Sequence, residues 1–66
     1  MDELEKLRIL LPHWVDHSAE HANEFRTWAK RAREADQDPV AARIEAAAQK
    51  DGSRQQGLER CDRALR

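Results

Sequence analysis

This 66-residue chain predicts an all-α fold, an antiparallel helical hairpin, on three observations. Punctuation is sparse, with Gly only at 52 and 57 and Pro only at 12 and 39. No run of alternating β-branched residues reads as a strand. Apolar residues instead recur at intervals of three and four on both sides of a turn signal near Gln37, the seam spacing of packed helices. Size and composition add a condition. With 39% hydrophobic and 38% charged residues, and only Trp14, Phe25 and Trp28 aromatic, a single domain over 1–66 has little core of its own. A chain this short ordinarily needs disulfides, a metal or a second subunit to offset the entropy of ordering. Cys61 is the sole cysteine, so no disulfide framework exists, and a metal or an oligomer is left.

A leader and first long helix are expected over about 3–36. The apolar stripe runs Leu4, Leu7, Leu11, Trp14, Phe25, Trp28, Ala32 and Ala35, with Ser18 and His21 at the two polar seam positions between Trp14 and Phe25. Pro12 lies in phase but lacks an N–H, which predicts a kinked or broken join between leader and main helix. Asp16, Glu20 and Glu24 precede Arg26, Lys30, Arg31 and Arg33, acid before base, which suits the dipole of one helix.

Residues 36–38 form the expected turn, with Asp38 as N-cap and Pro39 as first residue of a second helix over about 39–65. Val40, Ile44, Ala47, Leu58, Cys61 and Leu65 make its seam, and Asp51 and Arg54 fill the gap. The rhythm crosses Gly52 in phase, so one helix with a weak middle is expected, although Gly52 and a Ser53 to Gln56 capping box offer a break.

Folding back at Gln37 sets Trp28 opposite Ala47, Phe25 near Asp51, His21 near Arg54, Ser18 near Leu58 and Trp14 near Cys61. Arg54, Arg60, Arg63 and Arg66 then lie across from the acidic segment 13–24, which predicts ion pairs over the hairpin. Two helices bury only one stripe each, so a homodimer closing into a four-helix bundle is expected.

Charge excludes some functions. Twelve basic against thirteen acidic residues give a net charge of -1, which argues against nucleic acid as a partner. The acidic start Met1-Asp2-Glu3 and a longest aliphatic run of Ile9-Leu10-Leu11 predict no signal peptide and no membrane span, hence a cytoplasmic protein.

All three histidines fall at 13, 17 and 21, and each is followed three residues later by an acid: Asp16, Glu20 and Glu24. On a helix, residues four apart rise about 6 Å and stay on one face, so neighbouring imidazoles can share an ion, whereas about 12 Å separates the outer two. One divalent transition-metal ion (Ni, Co or Zn) is expected to use His13 with His17, or His17 with His21. Further ligands would come from Asp16, Glu20, Glu24, water, a second chain or Cys61. Protons compete for imidazole near its ordinary pKa of about 6.5, so affinity should fall below about pH 6. The alternative is a metal-free dimerisation or interaction module with a polar or pH-responsive histidine layer. An enzyme is not expected. The Glu-x-x-His order of di-iron bundles and the His-Glu-x-x-His of zinc proteases are both absent, and Ser18 has no oxyanion site beside it. Trp14, Trp28 and Cys61 fit simple seam packing.

The string from Leu10 to Ala29, LLPHWVDHSAEHANEFRTWA, resembles the signature L-L-x-H-W-x-x-H-N-x-E-H-x-x-E-F-x-x-W-A of a small, functionally uncharacterised His-rich helical domain. That domain is found alone or attached to CooT-type nickel-binding proteins. The resemblance covers about twenty residues, and His13, Glu20, His17, His21 and Glu24 match position for position, while Ser18 stands where Asn is usual. It implies a nickel- or cobalt-related accessory role, as carrier or sensor, with a metalloenzyme maturation partner. The β domain of the CooT type, with its N-terminal Cys, is not in this chain, so its metal site does not carry over.

Overall fold

Helix α1 (Glu3–Glu34) and helix α2 (Asp38–Ala64) account for nearly all of residues 2–65, which are the residues described by the structure, a computed structural model. Met1 and Arg66, the latter one of the arginines expected to face the histidine segment, lie outside them. The two helices pack side by side along their lengths into a rod of 50 × 16 × 13 Å. They run antiparallel: Arg33 contacts Glu45 near the turn, and Pro12 and Val15 share a groove with Asp62 far from it.

Asp2 caps helix α1 with an extended backbone, and its side-chain carboxylate accepts the Glu5 N–H at 2.8 Å. Glu3 and Glu5 occupy the first turn and Arg31 and Arg33 the last, so both ends oppose the macrodipole. The expected break at Pro12 does not occur; α1 continues through it as one helix. Pro12 has no N–H to give the Arg8 carbonyl, but both residues are exposed, and water can satisfy the vacated acceptor.

The turn is as short as expected but lies one residue earlier, at 35–37. Helix α1 ends at Glu34 with Ala35 as its cap, and Asp36 takes the left-handed conformation at φ 60°. The Gln37 N–H reaches the Ala32 carbonyl at 2.8 Å and the Asp36 N–H reaches the Arg33 carbonyl at 3.0 Å, the paired bonds of a Schellman cap. Glycine is the residue best suited to that backbone. Replacing Asp36 by Gly is therefore expected to raise stability by up to about 1 kcal/mol, read as a thermal midpoint several degrees higher by circular dichroism.

Asp38 is the first residue of α2 rather than its N-cap. Gln37 holds the cap position, with no side-chain bond to the helix, and its carbonyl accepts the Ala41 N–H. Asp38 instead lies 3.8 Å from the Arg33 guanidinium. As expected, α2 runs through Gly52 without interruption.

The seam is where structure and expectation part. The levels across the hairpin are as anticipated, but on both helices every second seam position is shifted by one residue. Ser18, Ala22 and Ala29 are buried on α1 with Leu11, and Ala41, Ala48 and Asp51 on α2. Trp14 and Trp28, which the large-residue stripe put at the seam, are 39% and 52% exposed, and Val40 is 48% exposed. The cause is steric. Alanine and serine let two backbones approach closely, whereas indole rings between them would hold the helices apart. A two-helix hairpin therefore closes on its small stripe and turns the large one outward.

Candidate metal site on the histidine face

His13, His17 and His21 lie on α1 as three successive rungs. The His17 and His21 rings meet edge-on with centroids 4.4 Å apart, and their Nε2 atoms are 2.9 Å from one another, one donating to the other. His13 stacks on His17 at a longer centroid separation of 5.9 Å. Helical phase explains the difference: His13 points furthest from the seam, while half-buried His21 is steadied on its other side by Phe25, ring to ring at 5.9 Å. Of the two pairings open to the sequence, the geometry brings the donor nitrogens together in the pair His17–His21.

The remaining expected ligands do not converge on that pair. Glu20 and Glu24 are exposed on the same helix. Cys61 is also exposed rather than at the seam, where Asp62 takes the inward position at its level. Among the described residues, no group of three or more His, Cys, Asp or Glu side chains is arranged to hold one ion. The expected arginine pairing also changes. Arg54 turns to Asp51 of its own helix at 2.7 Å, and Arg33 bridges the hairpin to Glu45 near the turn.

The two sides of the hairpin differ. One side carries the Arg33–Glu45 bridge, with a cleft lined by Arg26, Ala29 and Ala48 near the turn and a second lined by Val15, Asp16 and Glu59 further away. The opposite side takes the residues one position before the inward-facing ones: Trp14, His21 and Trp28 from α1, and Val40, Ala47, Arg54 and Cys61 from α2. Trp28 there carries Arg31 over its ring at 4.7 Å. His17 and His21 thus stand between Trp14 on one side and the Arg31-capped Trp28 on the other.

A family described as a domain of unknown function, DUF8180, matches residues 7–64 of this chain. The chain belongs to the DUF8180 family. The match takes in the histidine face, the turn and nearly all of α2, so the DUF8180 unit is the whole hairpin rather than α1 alone. No curated protein and no solved structure matches it. No helix among the described residues is long and apolar enough to cross a membrane.

The signal missed in the sequence is the recurrence of small residues seven apart, Ala22 with Ala29 and Ala41 with Ala48, each one position after a member of the expected stripe. That pattern marks the true contact of a hairpin, and it leaves the aromatic stripe and its histidines at the surface.

Proposed function

We propose that this DUF8180 hairpin binds a divalent transition-metal ion, nickel, cobalt or zinc, through His17 and His21, as a carrier or sensor accessory to a metalloenzyme maturation partner. The observation that carries the reading is the 2.9 Å between the two Nε2 atoms. Two metal–nitrogen bonds of about 2.0–2.1 Å, meeting at 90–109°, span roughly 2.9–3.3 Å, so the donor separation already matches that of two imidazoles on one ion. A turn of the rings that brings both lone pairs together off the N–N line lets the ion displace the shared proton. The donor set fits the metal class, since imidazole suits these borderline cations. Charge supports it too, because residues 13–24 hold Asp16, Glu20 and Glu24 and no Lys or Arg. The nickel or cobalt preference and the maturation partner rest on the resemblance of the Leu10–Ala29 string.

The test is a titration of nickel, zinc or cobalt followed by the fluorescence of Trp14, one turn from His17. A saturable change at micromolar metal is expected for the natural chain and for His13→Ala. In His17→Ala and His21→Ala the affinity should fall at least tenfold. An unchanged response in His17→Ala, with the helix content intact, would overturn the assignment. The same 2.9 Å contact also favours a second reading, a metal-free interaction module in which His17 and His21 form a polar layer that fixes register. That reading expects a thermal midpoint indifferent to metal and to chelator.

A further inference from the structure

Two imidazoles leave a metal ion half coordinated, and the surface around them points to the source of the rest. Leu7 and Leu10 are each 38% exposed, and with Trp14 they flank His17–His21 on one side, while Trp28 flanks it on the other. The accessible surface is 5135 Å². A compact chain of 7.7 kDa exposes about 4,300 Å². The excess of roughly 800 Å² equals what one partner contributes to a standard stable interface.

We propose that a second copy of the chain docks on this stripe about a two-fold axis passing between His17 and His21, and that His17 and His21 of both copies enclose one divalent transition-metal ion. The stripe is self-complementary about that axis. With the two α1 helices antiparallel, Leu10 of each copy falls at the level of Trp28 in the other and His17 at the level of His21, while Trp14 falls at the level of Glu24, one residue short of Phe25. An isologous contact requires this arrangement, in which residue i meets j and j meets i. It brings Leu10 and Trp28 together on both sides of the histidines and shields the ion from water. Four neutral imidazoles then supply the tetrahedral set that one chain cannot. The proposal rests on the reading of His17 and His21 as metal donors, and adds where the other two donors come from.

Cobalt(II) is the probe, because its visible absorption distinguishes tetrahedral from octahedral coordination. The full chain, titrated while its mass is followed by sedimentation, should take up one cobalt per two chains, sediment as a dimer and develop the strong visible bands of a tetrahedral ion. Leu10→Glu alters an exposed residue outside the hairpin seam. It should keep its helix content, sediment as a monomer and lose those bands, with cobalt affinity lowered at least tenfold. One cobalt per monomeric chain with weak octahedral bands would overturn the shared site while leaving His17 and His21 as donors. Failure of the natural chain to bind cobalt, nickel or zinc would overturn both readings. Retention of dimer and bands in Leu10→Glu would also overturn this docking surface.

Discussion

Leu11→Ala is expected to lower the stability of the hairpin by about 2–4 kcal/mol, the largest effect of any side-chain truncation between residues 2 and 65. Leu11 is 5% exposed and is the one large side chain in a core whose other apolar members are Ala22, Ala29, Ala41 and Ala48. Alanines cannot rearrange to fill the space a leucine leaves, so the loss combines transfer free energy with an uncollapsed cavity. For a domain of this size each kilocalorie per mole moves the thermal midpoint by about 4–8 °C, so a drop of at least 10 °C is expected by circular dichroism. Ile9→Ala provides the contrast. Ile9 is 59% exposed, and its truncation should change stability by less than about 0.5 kcal/mol. Comparable shifts in the two variants would mean that the hairpin does not close at Leu11.

The second large effect is an asymmetry between the members of one ion pair. Arg54→Ala is expected to cost about 1–3 kcal/mol, whereas Asp51→Ala should be within about 1 kcal/mol of the natural chain and on the stabilising side. The Asp51 side chain is only 10% exposed and sits at the seam, while Arg54, 2.7 Å away, is 64% exposed. Removing Arg54 leaves a carboxylate stranded in a narrow apolar contact. Removing Asp51 frees an arginine that water can solvate, and places in the seam a residue with better helix propensity and the size of its neighbours. Urea denaturation of the two variants decides it. Equal losses would show that Asp51 is held by more than Arg54.

Much of this was legible in sequence. The two helices, the turn near Gln37, the passage of α2 through Gly52 and the levels across the hairpin all followed from spacing and punctuation. The rotation of the seam did not, because two stripes one residue apart satisfy the same rhythm. Large residues look like core to a pattern that counts hydrophobicity, yet Trp14 and Trp28 cannot fit where Ala22 and Ala29 bring the backbones together. The same rotation explains the site. With Trp14, His21 and Trp28 turned outward, the histidines lie on an open face instead of between α1 and α2, and Cys61 goes outward with them. The choice between His13 and His21 as partner of His17 was likewise beyond spacing, since both lie four residues away. Side-chain packing made the distinction, through the Phe25 ring that steadies His21.

Imidazole nitrogen NMR of the natural chain tests most directly the proposal that His17 and His21 act together as metal donors. On adding zinc, the Nε2 resonances of His17 and His21 should move together to metal-bound positions at one stoichiometric end point, with His13 unmoved. Resonances of all three histidines that stay in place at saturating zinc, or a His13 that moves while His21 does not, would contradict it.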